Sequence, residues 1–335
     1  MQRASCEALR AVALSLALVG PLACQTPPTL PDAPAGGLDS ALPRCQSEPF
    51  VGSIAVPEAS GAAVVALGTS QALVVVSDSG NQGAYAAVDV NSGALLHTGK
   101  LPLGPTSDDV EGLSVLDGDL WGVTSAGWLY RWRALSTGDG FRLVQAPTAM
   151  GAVDEKIPAD GGLGDTPPRP EWGLVCNAQG VNCGRNYEGL CLDPAAQAVT
   201  SHSVGGAGRR ASADCVGLVV AKAEAALYCV VRDGAGLAID GARKFALSFP
   251  GALADCAIDA NGRAWVGSNS YRFGEVYVVS GWQQLPATPS VTTLDDVSTT
   301  GFAEVLAHGP ARIVYRMADN GRPGPSEVAA FRCEW

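Results

Sequence analysis

Acidic residues recur in this chain at a fixed distance from strand-like segments. Glu111 lies ten residues before Trp121, Asp255 ten before Trp265 and Glu304 ten before Val314, and the three later residues hold equivalent places in self-similar units. Glu188 joins them because "NYEGLCL" (186–192) is a near copy of "DVEGLSV" (109–115). Two further units carry Val64 and Val216 at the corresponding place, with Asp214 close to the second. Carboxylates brought together raise one another's pKa unless a cation or hydrogen-bond donors compensate them. A hard, oxygen-liganded ion suits such a set, Ca2+ before Mg2+. Acids that line a water-filled channel or cap strand amides are the other use of the same pattern. Glu111, Glu188, Asp255 and Glu304 are therefore the candidate metal ligands, and Ca2+ the candidate cofactor.

Other chemistry is sparse. His97, His202 and His308 have no second histidine at ligand spacing and read as surface or structural residues. No GxSxG elbow, P-loop or dinucleotide fingerprint is present, which disfavours an ordinary serine hydrolase and nucleotide use. Arg209 and Arg210 read as a solvated loop. Asp78 in "SDSGN" and Asn269 in "GSNSY" fall at corners after strands, where such side chains bond their own turn amides. Trp121 and Trp265 read as packing residues, whereas Trp172, in a long loop, is a candidate ligand-facing aromatic.

The elements that carry these residues are short. Apolar runs are bounded by turn pairs such as Asp117-Gly118, Asp233-Gly234, Asn261-Gly262 and Asn320-Gly321, and no stretch has a convincing helical period. The fold class is all-β. Five segments repeat one pattern of strand, polar corner, turn and strand: 73–93, 120–138, 227–241, 264–281 and 313–331. A period of about 40 to 50 residues built from short strands is the signature of propeller blades. Residues 49–335 then give a β-propeller of about six blades, if Glu188 opens a unit of its own and 149–185 is a long loop over one face. The last unit lacks an outer strand, which 49–57 is expected to supply, closing the ring by pairing the N- and C-terminal strands. In that ring the inner strands start at one end of the channel and bring the four acids together.

Composition limits the partners. Thirty-three acidic against 22 basic residues give a formal net charge of −11. Nucleic acid and anionic membrane surfaces are excluded as partners, since both need a cationic face. Residues 1–23 read as an export signal ending in "PLAC", which makes Cys24 the expected lipidation site and 24–48 a Pro-rich linker. The propeller domain is 49–335. The protein is then an exported bacterial cell-envelope protein, an outer-membrane lipoprotein by the Gln25 that follows the cysteine, touching the membrane through its anchor alone. Eight further cysteines in an exported chain favour disulfides. Two pairings suggest themselves, Cys45 with Cys333 at the domain ends and Cys176 with Cys183 in one loop. Cys191, Cys215, Cys229 and Cys256 are left unassigned.

"DDVEGLSVLDGDLWGV" and "NYEGLCLDPAAQAV" resemble the EGL-bearing strands of phytase-like propellers, a group that extends to regucalcin-like lactonases. "ADCVGLVVAKAEAALYCVVRDGAGLAID" (213–240) is similar to another blade of that group, although Val216 stands where the group has glutamate and "AKAEAA" replaces its acidic cluster. The resemblance implies divalent ions at channel-side carboxylates, with Glu111 and Glu188 matching the EGL glutamate. Two functions follow as expectations. The first is non-catalytic binding or scaffolding of a protein or small-molecule ligand. The alternative is calcium-dependent hydrolysis of phosphate esters or lactones.

Overall fold

The computed structural model describes residues 44–334, without 104–107, 151–184, 197–213, 248–252, 270–274, 295–296, 298, 300–301 and 320–323. Near its start come β1 (Arg44–Glu48) and β2 (Ser53–Ile54). Five antiparallel sheets follow among the described residues. Blade 1 is β3 (Ala59–Leu67), β4 (Ser70–Ser77), β5 (Ala84–Asp89) and β6 (Leu95–Lys100). Blade 2 is β7 (Val110–Leu116), β8 (Asp119–Thr124), β9 (Trp128–Ala134) and β10 (Phe141–Leu143), with β11 (Thr148–Ala149) also on β9. Blade 3 is β12 (Tyr187–Leu192), β13 (Cys215–Ala221), β14 (Ala226–Asp233) and β15 (Gly236–Ala246). Blade 4 is β16 (Leu253–Ile258), β17 (Ala264–Ser268), β18 (Val276–Ser280) and β19 (Ser290–Leu294). Blade 5 is β20 (Phe302–His308), β21 (Ile313–Asp319) and β22 (Ser326–Glu334), with β1 as its outermost strand.

Residue alternation builds the ring. A strand sends successive side chains to opposite faces, and a strand between two blades must bury both. The run "ALVVVS" of β4 does so: Val74 and Val76 pack towards blade 2, while Leu73 and Val75 pack towards blade 5. Five apolar clusters result, each drawn from two neighbouring blades. Trp121 lies in the cluster between blades 2 and 3, and Trp265 in that between blades 4 and 5, as packing residues. Burial falls outward, from a fully buried β8 to a β6 with both leucines exposed.

The count is five blades, where the sequence suggests about six. Four of the five repeated segments supply the second and third strands of a blade, whereas 227–241 supplies the third and fourth strands of blade 3. "NYEGLCL", which would open an extra unit, is the inner strand of the blade whose second strand begins at Cys215. Val216 therefore belongs to a second strand and is not equivalent to Glu188. In blade 1 the equivalent of Glu111 is Ser60, not Val64: a register shift falls between Ala59 and Gly61 as it does between Val110 and Gly112.

The outermost strand of blade 5 is also displaced from the expected 49–57. It is β1, paired residue by residue with β22, whereas within 49–57 Ser53 and Ile54 pair with Glu327 and Ser326. Cys45 faces Cys333 across that ladder and is disulfide-bonded to it. Cys191–Cys256 joins the inner strands of blades 3 and 4, and Cys215–Cys229 joins two strands of blade 3. Cys24, Cys176 and Cys183 lie outside the described residues.

Candidate functional site at the channel mouth

The inner strands β3, β7, β12, β16 and β20 lie side by side around the axis, each against the next and β20 against β3. Each begins with a register irregularity, at Ala59/Gly61, Val110/Gly112, Tyr187/Gly189, Leu253/Cys256 and Ala303/Val305. A bulge adds one residue to a strand and re-aims its side chain. The residues inside these five irregularities include Ser60, Glu111, Glu188, Asp255 and Glu304, so the four acids picked from the sequence occupy one structural position.

The glycine after the acid has its own cause. A Cβ on Gly112 would stand 2.4 Å from the Leu190 nitrogen, and one on Gly189 would stand 2.8 Å from the Asp255 Cα. One on Gly61 would reach the Gly112 Cα at 3.0 Å. Neighbouring inner strands touch backbone to backbone here, and only glycine leaves the room. "EG" thus reads as an acid at the rim followed by the contact that narrows the ring.

The four acids then diverge. Glu111 is 7% exposed, and one carboxylate oxygen each from Asp78, Asp109 and Glu111 lie within 4.8 Å of one another. Ser125 donates its hydroxyl to Asp109 Oδ2. Glu188, 5% exposed, takes Asn186 Nδ2 at 2.6 Å and Lys222 Nζ at 2.9 Å. Glu304 accepts Asn269 Nδ2 at 2.9 Å. Asp255 is fully buried and accepts the backbone N–H of Cys256 at 2.7 Å and of Leu306 at 3.3 Å.

Asp255 also faces the fully buried Arg316, whose guanidinium donates to the Ser268 and Ala303 carbonyls at 3.2 and 3.3 Å. Burial brings Arg316 down to about 10, with Asp255 opposing. A Cβ on Gly267 would stand 2.0 Å from Arg316 Nη1, so this glycine makes the space for the arginine. Asp255 and Arg316 attract each other between blades 4 and 5, yet burial outweighs that attraction on both and holds Asp255 well above the usual carboxylate range.

The electrostatics of the mouth are one-sided. Burial pushes Asp109 up to about 7, with Ser125 opposing and Asp78 adding to the rise. Burial, then the charges of Glu188, Asp109 and Asp78, holds Glu111 well above the usual carboxylate range. Burial also raises Asp78 and Glu304, and takes Glu188 to about 7 against the pull of Lys222. Burial disfavours the Lys222 charge as well, yet Glu188 and Glu304 hold it above the usual lysine range. The blade 3 side of the mouth therefore has its counter-charge built in. The Asp78–Asp109–Glu111 side has a hydroxyl and no cation among the described residues.

Asp109, Asn186 and Lys222 are mouth residues that the sequence reading did not single out. The first two had a signal: they stand two residues before Glu111 and Glu188, just ahead of β7 and β12. Asp78 and Asn269, read as turn-capping corners, are here part of the mouth; Asp78 also caps its own turn by accepting the Ser79 N–H. Neither described histidine takes part in it. His97 packs its ring near Tyr85, and the half-buried His308, pushed down to about 4 by desolvation, sets its ring edge-on to Trp265. His308 lines a depression of about 100 Å³ at the other end of the inner strands, with Leu113, Leu192, Pro194 and Ile258. His202, Trp172, Arg209 and Arg210 lie outside the described residues.

No family model and no curated protein matches the chain. Solved structures match it in fold. A luciferin-regenerating enzyme is 12% identical over 86% of this chain and 95% of its own, with a TM-score of 0.47. The glutaminyl cyclase of Myxococcus xanthus is 13% identical over 87% and 97%, with a TM-score of 0.45. Regucalcin of Agrobacterium tumefaciens, a calcium-binding protein, is 11% identical over 84% and 95%, with a TM-score of 0.41. Likeness at this level assigns this chain no activity.

Proposed function

We propose that this protein is a binding lipoprotein of the bacterial cell envelope whose propeller mouth holds a divalent cation, Ca2+ before Mg2+, as part of its ligand-binding face. The observation that carries the reading is the convergence of Asp78, Asp109 and Glu111 within 4.8 Å. Oxygens bound to one Ca2+ at about 2.4 Å stand up to about 5 Å apart, so this span suits a single ion. The donor set fits as well: all three are carboxylates, and burial, then the charges of Glu188, Asp109 and Asp78, raise Glu111. The ion would supply the compensating charge. Ser125 keeps one Asp109 oxygen oriented, and the contact of Gly112 with Gly189 holds Glu111 at the rim.

Export is supported by the three disulfides among the described residues, where no helix is long and apolar enough to cross a membrane. The anchor rests on "PLAC" and Cys24. Two measurements test the reading. Ca2+ should raise the melting temperature of the purified protein and EDTA should lower it, with no turnover of phosphate monoesters or lactones. An EDTA-insensitive melting temperature refutes the ion site, and metal-dependent turnover replaces binding by hydrolysis. Cys24→Ala should move the protein from the membrane to the soluble fraction, and retention in the membrane refutes the anchor.

A further inference from the structure

The blade 3 wall of the mouth is built differently from the rest. Both oxygens of Glu188 are engaged, Oε1 by Asn186 Nδ2 at 2.6 Å and Oε2 by Lys222 Nζ at 2.9 Å. Lys222 opens the 3-10 turn Lys222–Glu224 that leaves β13, and its backbone N–H donates to the Asn186 carbonyl at 2.9 Å. Its main chain is thus tied to the same rim residue that shares Glu188 with its ammonium. The charges of Glu188, Glu304 and Glu111 all favour that ammonium, and Glu188 is the one it touches.

One more atom marks this wall as a place for positive charge. Asn186 is 4% exposed, and its Oδ1 has no hydrogen-bond partner. A buried carboxamide oxygen of this kind calls for a donor or a metal ion. Around Glu188 the protein therefore assembles one carboxylate, one carboxamide (Asn186) and one ammonium. Without the ammonium, the Glu188 carboxylate and the Asn186 Oδ1 remain as oxygens for a hard cation.

We propose that the Lys222 ammonium is a tethered stand-in for a second cation, filling a place at Glu188 and Asn186 and leaving the mouth one exchangeable ion, on the Asp78–Asp109–Glu111 side. The exchangeable ion rests on the function proposed above; the role of Lys222 does not. A face with one fixed and one exchangeable positive charge then responds to Ca2+ in a single step.

Calorimetric titration with CaCl2 tests it on the wild type, Lys222→Met and Lys222→Arg. The wild type should bind one ion, Lys222→Met one more than the wild type, and Lys222→Arg the same number as the wild type. An unchanged number in Lys222→Met overturns the inference, whatever the wild type binds. An empty wild type beside a Lys222→Met that takes one ion refutes the proposed function alone. Because Lys222→Met leaves Glu188 without its partner, it is to be purified in Ca2+. If it still fails to fold, Lys222→Met/Glu188→Gln removes the uncompensated charge: recovery of the fold at the wild-type ion number supports the inference, and an extra ion in that double variant overturns it.

Discussion

Replacing Glu111 by Gln should change how stability depends on pH. In the metal-free protein the folded-state pKa of Glu111 is well above its ordinary value, because the carboxyl is buried among other acids. The unfolded chain loses this proton near pH 4.5 while the fold keeps it, so unfolding releases a proton at any pH between the two values. The destabilisation is absent below the unfolded pKa, grows as pH rises, and stops growing once the folded pKa is passed. Within that window one group contributes about 1.4 kcal/mol per pH unit. Urea unfolding in EDTA, followed by tryptophan fluorescence at pH 5.5 and 6.5, measures it. The wild type should lose more stability than Glu111→Gln between the two points, by up to about 1.4 kcal/mol. Groups common to both proteins, such as His308, cancel in the difference. The variant should also be the more stable at pH 6.5 in EDTA and should gain nothing from Ca2+, which stabilises the wild type. Equal pH slopes in the two proteins would refute the placement of Glu111 as an uncompensated buried acid.

Other outcomes follow from the packing. Gly112→Ala places a Cβ 2.4 Å from the Leu190 nitrogen, and with both partners backbone the inner strands must separate; a loss of about 2 kcal/mol or more is expected in thermal or urea unfolding, and an unchanged stability contradicts the close approach. Gly267→Ala should be similarly costly, because Arg316 Nη1 occupies the space, and the double variant Gly267→Ala/Arg316→Met should recover much of the loss; full additivity of the two changes would show that they do not meet. Cys45→Ser/Cys333→Ser opens a link between residues 288 apart, for which loop-closure entropy gives about 6 kcal/mol, seen as a large fall in the urea midpoint. A midpoint equal to that of the wild type would mean that pairing of β1 with β22 contributes little.

The strand content and the candidate ring of acids were legible because each has a local cause. Valine runs such as "LVVVS" mark strands buried on both faces, and Asp117 and Gly118, both at positive φ, make the two-residue turn that their types predict. The blade count was not legible for the same physical reason that the strands were. An inner strand and a second strand are both buried on both faces, so "NYEGLCL" and "DCVGLVV" have the same hydrophobic pattern although one starts a blade and the other continues it. The fate of each acid was not legible either. Nothing near Asp255 in sequence announces Arg316, and nothing near Glu188 announces Lys222, because those partners arrive from another blade or another strand. Cys191 and Cys256 likewise meet only when blades 3 and 4 pack.

The central claim is that Asp78, Asp109 and Glu111 share one ion. Equilibrium dialysis against Ca2+ followed by metal analysis tests it most directly, on the wild type and on Asp109→Asn/Glu111→Gln. One Ca2+ per wild-type chain and none in the double variant is the predicted result; a wild type that emerges empty, or a double variant that keeps its ion, contradicts it.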